Sequence, residues 1–403
     1  MPAEIRIPLH ALKRPSAQAA DGLRLAALPP LSLYVHLPWC VRKCPYCDFN
    51  SHESSAELPE EAYCAALIAD LEQALPSIWG RRVQTVFFGG GTPSLFSASS
   101  IDRLLAAFRA RLNLAADAEI TLEANPGTFE AQKFRDFRAA GVNRLSIGVQ
   151  SLNDAHLLAL GRIHDADEAR RAIDIAQTNF DNVNLDLMYA LPGQSAEQAR
   201  NDLREAIAFG TSHLSAYQLT VEPNTVFYSR PPELPEHDAA AAMQEAAEEM
   251  LAAAGYEHYE TSAFARPGRR CRHNLNYWQF GDYLGLGAGA HGKLSFPDRI
   301  ERHARARQPR EYMALAREGR SIVEQRTLTR EDLPFEFMLN ALRLNGGVPL
   351  ALFGERTGLD AAVLEPALAR AAAQGLLEHD WQNLRPTLRG QRFLNELVQL
   401  FLP

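Results

Sequence analysis

The sequence has few cysteines, no long apolar run and no excess of basic residues. Five cysteines in 403 residues are too few for a disulfide framework, and this usage predicts a reducing cytosol. No stretch approaches the roughly 18 consecutive apolar residues of a membrane span. A net charge of −8 argues against a broad nucleic-acid or anionic-membrane surface. We therefore expect a cytoplasmic protein with no nucleic-acid partner and at most a peripheral contact with membranes.

What the chain does contain is enough apolar residues for a sizeable core. Hydrophobic residues make up 46% of it and charged residues 22%, which is typical of a globular chain with one large and one smaller domain. The first 30 residues mix charged with apolar positions and lack the continuous apolar segment of a secretion signal. Residues 1–30 are therefore predicted to form a polar N-terminal arm.

Three of the five cysteines, Cys40, Cys44 and Cys47, form a CxxxCxxC run. Three thiolates can hold three irons of a 4Fe–4S cubane and leave the fourth iron open to a small molecule. Zinc is an alternative, although it usually takes four ligands and no second CxxC pair is present. A redox CxxC is another, although it would leave Cys40 without a role.

Between residues 31 and 220, short apolar segments alternate with amphipathic ones. This alternation predicts six βα units in a parallel sheet with helices outside, two units short of a closed eight-stranded barrel. The predicted strands are Leu33–Leu37, Thr85–Phe88, Glu119–Ala124, Arg144–Val149, Asn182–Met188 and His213–Gln218. The predicted helices are Glu60–Leu75, Ser99–Leu112, Glu130–Ala140, Asp165–Thr178 and Ala196–Phe209. We expect an α/β fold, an open three-quarter (β/α)6 barrel.

Polar residues and glycines follow these strands at their carboxyl ends, where parallel α/β folds gather functional groups. Each could by itself be a tight turn or a solvated loop residue. Together they would surround one mouth with backbone amides, two carboxylates, an amide and a guanidinium. The positions are Gly90, Gly91 and Thr92 in GGGT, and then Glu123, Gln150, Arg162 and Asp186.

The segment YVHLPWCVRKCPYC resembles the cluster motif of radical S-adenosylmethionine (SAM) enzymes. The resemblance implies a cluster on the three cysteines whose open iron chelates SAM and donates the electron that cleaves it. It also implies that Tyr46 packs beside the adenine. It assigns further SAM contacts to the residues of the predicted mouth and to Tyr34. These contacts match those of the branch that resembles coproporphyrinogen oxidase: Tyr34, Gly90, Gly91, Thr92, Glu123, Gln150, Arg162 and Asp186.

Beyond the predicted barrel, residues 221–325 read as an extension and residues 326–403 as a mostly helical, winged-helix-like domain. The last 54 residues hold six acidic and five basic side chains, so no basic stripe supports DNA binding. The extension contains an HNxxYW motif. Its His273 could ligate haem iron, with His291 and Cys271 as rivals, or it could be a packed, hydrogen-bonded histidine.

Within this branch, the resemblance leaves an oxidase, a haem carrier or another SAM-dependent modification enzyme open. The oxidases have a further cysteine two residues after the third, where this chain has Phe49, and a longer segment before the cluster than the 39 residues here. The HNxxYW motif that begins at His273 is typical of the haem carriers of this branch. We expect a haem carrier that binds haem, SAM and a 4Fe–4S cluster and delivers haem to acceptor haem proteins, membrane-bound respiratory enzymes among them.

Overall fold

The computed structural model describes residues 23–54, 57–128, 130–380 and 382–403. In chain order the strands are β1 Leu31–Leu37, β2 Trp39–Cys40, β3 His52–Glu53, β4 Arg82–Gly90, β5 Asn113–Ala124, β6 Arg144–Gln150, β7 Val183–Tyr189, β8 His213–Gln218, β9 Glu257–Glu260, β10 Ala263–Ala265, β11 Asp282–Leu286, β12 His291–Phe296, β13 Arg299–Arg305, β14 Ile322–Thr327, β15 Val348–Pro349, β16 Leu377–His379 and β17 Asn383–Pro386.

The helices pack around these strands. They are α1 Glu60–Ile78, α2 Ala98–Arg111, α3 Ala131–Ala140, α4 Asp154–Ala159, α5 Ala166–Asn179, α6 Ala196–Ala208, α7 Val226–Ser229, α8 His237–Ala253, α9 Arg272–Trp278, α10 Pro309–Arg317, α11 Asp332–Ala341, α12 Ala351–Thr357, α13 Glu365–Ala373, α14 Leu388–Arg392 and α15 Leu394–Gln399. Within the described ranges, no helix is both long and apolar enough to cross a membrane.

One open sheet of twelve strands organises the main body of the fold. Its order is β14-β13-β12-β11-β1-β4-β5-β6-β7-β8-β10-β9, and the pairs from β11 to β8 are parallel. The six predicted strands are all present within this parallel stretch, and the sheet does not close. The open α/β architecture predicted from the alternation of strands and helices is therefore confirmed.

The helices begin and end where the local sequence supplies caps. Asp165 and Ser195 each form a reciprocal capping box at the start of α5 and α6, and Gly141 ends α3 in the left-handed conformation. Helix α2 begins after Ser97, whose side chain accepts from the Ser100 amide, whereas α8 begins after Glu236 without a side-chain cap.

The sequence did not reveal the seventh parallel strand. Strand β11, far downstream, pairs with β1 in a register that places Leu31 opposite Asp282. Asp282 is fully buried and forms ion pairs with Lys293 at 2.7 Å and with Arg81 at 2.8 Å. These ion pairs stabilise the junction of β1 and β11 in addition to the backbone hydrogen bonds between the two strands. Antiparallel strands continue the sheet from there, and His291 is the first residue of β12.

The C-terminal residues fold as predicted for a winged helix. The order α11, β15, α12, α13, β16, β17 ends in a three-stranded antiparallel sheet with β17 in the centre. A second hydrophobic core, which includes Phe337, Phe353 and Leu384, lies beneath these elements. The predicted boundaries at residues 220 and 325 stay predictions. Of the predicted arm only residues 23–30 are described, and there Leu23 and Leu25 are buried in this second core.

The concave face of the parallel strands is polar. Five buried polar residues lie on neighbouring strands of β4 to β8, beneath the carboxyl edge of the sheet: Thr85, Glu119, Arg144, Asn184 and His213. Glu119 accepts from the amides of Arg272 and His273, which begin α9, so this helix seals the amino side of the barrel. At the opposite, carboxyl edge, Gly90 ends β4, Gln150 ends β6 and Glu123 lies one residue before the end of β5, whereas Tyr34 and Asp186 lie in the middle of their strands.

Candidate functional site

The three motif cysteines share one loop at the carboxyl end of β1. Short strands β2 and β3 pair in parallel and close this loop, and Cys40 accepts a backbone hydrogen bond from Ser54 at 3.0 Å. Cys44 accepts another from the Cys47 amide at 3.1 Å. Each thiol is free and partly exposed. Three thiols on a short loop fixed at both ends form a donor set that suits a 4Fe–4S cubane.

Each of the three sulfurs also has a polar side chain within hydrogen-bond distance. The Thr92 hydroxyl donates to Cys40 Sγ at 3.6 Å, and Nη1 of Arg162 donates to Cys44 Sγ at 3.6 Å. The Ser51 hydroxyl lies 3.7 Å from Cys47 Sγ. In the described residues, no group of three His, Cys, Asp or Glu side chains is arranged around a single metal ion. A 4Fe–4S cubane does not need such a group, because each of its thiolate ligands binds a different iron.

The GGGT loop packs directly against the cysteine loop. Gly91 donates its amide to the Leu37 carbonyl at 2.9 Å, and Thr92 donates to the Trp39 carbonyl at 2.8 Å. Gly90 has a φ of +116°, and a Cβ there would lie 2.6 Å from the His36 ring. A Cβ on Gly91 would lie 2.5 Å from the Trp39 carbonyl oxygen. Only glycine allows the two loops to approach this closely.

Two carboxylates, Glu123 and Asp186, face the space below these loops. Glu123 accepts the Gly90 amide at 3.2 Å, which ties β5 to the glycine loop. Burial and the nearby Asp186 raise the pKa of Glu123 to about 7. Burial also raises the pKa of Asp186, although hydrogen bonds from Ser146 and Asn184 oppose this. The pair therefore provides strong hydrogen-bond acceptors in a site that water reaches only in part.

Arg162 lies beside the cysteine loop, next to Cys44 and to Tyr46 of that loop. Nη2 of Arg162 donates to the Gly148 carbonyl at 2.8 Å, while its buried Nε has no partner in the described structure. Tyr46 packs against Phe227 with ring centroids 6.3 Å apart. Burial raises the pKa of Tyr46, and the Arg162 guanidinium opposes this. Leaving a buried N–H without a hydrogen-bond partner is costly, so Nε of Arg162 is a candidate donor to an anionic or polar ligand.

Gln150 ends β6 in the left-handed region, with a φ of +67°, which is unusual for a residue with a side chain. Its Oε1 accepts from the buried Tyr217 hydroxyl at 2.9 Å. Sequence reasoning missed Tyr217, because its partner Gln150 lies on another strand, 67 residues away in the chain.

Tyr34 reaches the site from β1 and is held by a histidine that was also missed. Its hydroxyl lies 3.0 Å from Nδ1 of His36, and Nε2 of His36 lies 2.9 Å from the Asn50 carbonyl. Because a carbonyl only accepts, Nε2 carries the proton and Tyr34 donates to Nδ1. Burial lowers the pKa of His36 to about 4, which keeps this ring neutral. His36 therefore links Tyr34 to the cysteine loop.

His273 lies one layer deeper than the other predicted residues. It is buried in α9, with its ring centroid 4.9 Å from that of Phe87. Nδ1 lies 2.7 Å from the Thr85 hydroxyl, and Nε2 lies 2.9 Å from the Tyr277 hydroxyl. Both ring nitrogens are therefore engaged. This geometry favours the packed, hydrogen-bonded alternative for His273, and an iron-binding role would require one of these bonds to break.

The structure thus brings the cysteines and the predicted mouth residues to one edge of the sheet and leaves His273 beneath them. The chain matches the Radical SAM superfamily over residues 34–206 and the HemN C-terminal domain over residues 328–393. It is 52% identical to heme chaperone HemW of Escherichia coli, over 94% of this chain and 100% of that protein. It is 47% identical to heme chaperone HemW of Haemophilus influenzae, over 93% of this chain and 98% of that protein.

Among solved structures, the chain resembles coproporphyrinogen III oxidase (HemN) from Escherichia coli with a TM-score of 0.79. The sequence identity is 25%, over 93% of this chain and 90% of that one. The structural likeness extends over both the open barrel and the C-terminal region. With this coverage and the identities above, the chain belongs to the HemW family within the radical SAM superfamily.

Proposed function

We propose that this protein is a haem carrier, which binds haem and passes it to acceptor haem proteins, and that it holds a 4Fe–4S cluster and SAM at the carboxyl edge of its sheet. The observation that carries the proposal is the 52% identity to a heme chaperone over nearly the whole of both chains. Phe49, which stands where the oxidase pattern has a further cysteine, supports the carrier over the oxidase.

In this proposal Cys40, Cys44 and Cys47 hold the cluster. SAM is held by Tyr34, Tyr46, Gly90, Gly91, Thr92, Glu123, Gln150, Arg162 and Asp186. The support is their convergence on one mouth, together with the unpartnered Nε of Arg162. A 4Fe–4S cluster with SAM supplies one-electron chemistry, while the protein supplies binding and orientation.

In this proposal Arg162, Glu123 and Tyr46 each have a separate role at the mouth. The guanidinium of Arg162 attracts a carboxylate, and it is aimed from a fixed position because Nη2 is anchored to the Gly148 carbonyl. Glu123, with a pKa of about 7, can hold a proton on its carboxyl at neutral pH or release it when a cation enters. Tyr46 is packed against Phe227, which fixes the position of its ring beside Arg162.

The intact mouth raises the question of why a carrier would bind SAM. We propose that occupancy of the site gates haem transfer through the redox state or a conformational step. The cytoplasmic location and the acceptors, with membrane-bound respiratory haem proteins among them, belong to this same proposal. His273 is retained as a possible haem ligand only on the condition that the Tyr277 hydroxyl first gives up Nε2.

The second candidate is an oxygen-independent coproporphyrinogen III oxidase. The observation in its favour is the likeness to coproporphyrinogen III oxidase from Escherichia coli, at a TM-score of 0.79. Such an enzyme would oxidatively decarboxylate two propionates of its substrate. The lower sequence identity of 25% makes it the weaker of the two candidates.

Anaerobic reconstitution tests the proposal. The purified protein should take up four irons and four sulfides in a 4Fe–4S cluster, bind SAM, bind haem with a Soret shift, and lose that haem to apomyoglobin as an acceptor probe. A triple Cys40→Ala, Cys44→Ala, Cys47→Ala variant is the matched control for the cluster. Conversion of coproporphyrinogen III to protoporphyrinogen IX would establish the oxidase instead. Release of 5′-deoxyadenosine from SAM under reduction would count against the gating role.

A further inference from the structure

A buried serine lies beside the third motif cysteine without an assigned role. Ser51 is only 5% exposed, and its hydroxyl approaches Cys47 Sγ at 3.7 Å. Its backbone is fixed on both sides, since its amide donates to the Phe49 carbonyl at 2.7 Å and its carbonyl accepts from Nζ of Lys43 at 3.3 Å. Lys43 also donates to the Phe49 carbonyl at 3.1 Å. The Lys43 ammonium group therefore bonds to both ends of the Phe49–Ser51 turn and fixes the position of Ser51.

This contact belongs to a set of donors around the three thiols, in which Ser51 also interacts with Cys40 and the Phe49 backbone with Cys47. Thr92 serves Cys40, Arg162 serves Cys44 and Ser51 serves Cys47, and the three donors come from three separate segments. When a sulfur binds iron it is a thiolate and can only accept a hydrogen bond, so the Ser51 hydroxyl must then be the donor.

Hydrogen bonds to cluster sulfurs are among the factors that set the reduction potential. A donor stabilises the more negative, reduced cluster more than the oxidised one, and so it makes the potential less negative. The effect of a hydroxyl is strongest where water cannot replace it, and the burial of Ser51 meets that condition.

We propose that Ser51 is a positioning residue of the cluster: its hydroxyl donates to the Cys47 thiolate, orients that ligand and raises the reduction potential. This inference rests on the proposed function only in taking the three cysteines as the cluster ligands. It does not depend on whether the protein carries haem or oxidises a porphyrinogen.

The test compares three variants of the reconstituted full-length protein. Ser51→Ala removes the hydroxyl, Ser51→Thr keeps it, and Ser94→Ala removes another buried hydroxyl close to the glycine loop that bonds to Thr128 and not to a thiol. Redox titration followed by electron paramagnetic resonance should show a more negative midpoint potential for S51A. S51T and S94A should match the unmodified protein.

A second measurement detects the proton itself. Electron–nuclear double resonance of the reduced cluster in H₂O and D₂O should show an exchangeable proton coupling that S51A loses and S51T keeps. If S51A cannot hold its cluster long enough for titration, faster iron release to a chelator than from S51T and S94A would support the same role.

Three results would overturn the inference: an unchanged potential in S51A, an equal shift in S94A, or equal loss of iron from S51A and S51T. If the unmodified protein took up no cluster at all, the proposed function would fail instead. The two failures are therefore distinguishable.

Discussion

The Tyr277 hydroxyl donates to Nε2 of His273 across one turn of α9, at 2.9 Å. The direction follows from the other side of the ring. The Thr85 hydroxyl donates to Ser32 at 2.9 Å, so Nδ1 of His273 must donate its proton to Thr85 at 2.7 Å. Nδ1 is therefore occupied as a donor and Nε2 as an acceptor. The spacing of His and Tyr in HNxxYW is explained by this i, i+4 contact.

We expect His273→Ala to lower the free energy of unfolding by about 1–3 kcal/mol, because the Tyr277 hydroxyl loses its acceptor and the Thr85 hydroxyl loses its donor. Burial and the Arg144 cation lower the pKa of His273 to about 3, so the ring is neutral near pH 7 and no buried charge is lost. Urea unfolding measures the stability, and the haem Soret spectrum measures ligation. Tyr277→Phe is the matched control, since it frees Nε2 but keeps the ring. An altered Soret spectrum in H273A with tighter haem binding in Y277F would instead establish His273 as the ligand.

The raised pKa of Glu123 predicts a stability that falls as pH rises. The folded protein holds a proton on Glu123 up to a pKa of about 7, whereas the unfolded chain releases it near the ordinary value of 4.5. Between these values the native state binds more protons, so this contribution to stability is complete below about pH 4.5 and is lost as the pH reaches about 7.

Glu123→Gln should remove that dependence, because its amide is neutral at every pH. In cluster-free protein, urea unfolding at pH 5 and pH 7.5 should show that E123Q gains stability relative to the unmodified chain only at the higher pH. A difference that stays constant with pH would show that Glu123 titrates normally.

Gly90→Ala should disrupt the junction between the glycine and cysteine loops. The added Cβ would lie 2.6 Å from His36, and the backbone φ of +116° is strained for alanine. Gly193→Ala is the control, since its φ is +69° but nothing lies within 4 Å of the new Cβ. We expect G193A to cost about 1 kcal/mol and G90A distinctly more. Thermal unfolding and SAM binding to the reconstituted protein check this, and equal effects would contradict it.

The C-terminal region is tied to the barrel by a bidentate ion pair. Arg392 donates to both carboxylate oxygens of Glu248 on α8, at 2.6 and 2.7 Å, and both side chains are about three-quarters buried. We expect a double-mutant cycle with Arg392→Ala and Glu248→Ala to give a coupling free energy above about 1 kcal/mol. The exposed pair Arg385–Glu378 is the control and should give less than about 1 kcal/mol. Equal coupling in both pairs would refute the prediction.

The sequence predicted the parts of the fold that local patterns encode. The six parallel strands follow from apolar runs, and α5 and α6 follow from an amphipathic stripe behind a capping residue. The mouth residues were predictable because the carboxyl ends of parallel strands meet at one edge. The SAM contacts that the radical SAM resemblance assigns to these residues stay predictions.

What could not be predicted depends on contacts between distant residues. Nothing local in β11 indicates that it pairs with β1, since the joint is set by the burial of Asp282 against Lys293 and Arg81. His36 and Tyr217 were missed because their roles depend on partners, Asn50 and Gln150, that lie in other segments. The environment of His273 was open for the same reason.

The pairing of β1 with β11 has a consequence for synthesis on the ribosome. The strand that carries Tyr34 is translated roughly 250 residues before its neighbour β11. At about 5–20 residues per second, the nascent chain waits on the order of 10–50 seconds with one side of that strand unpaired. An unpaired strand edge invites association with other chains. The parallel stretch of the sheet cannot be completed until the downstream segment arrives, so a ribosome stalled before Asp282 should release an aggregation-prone fragment.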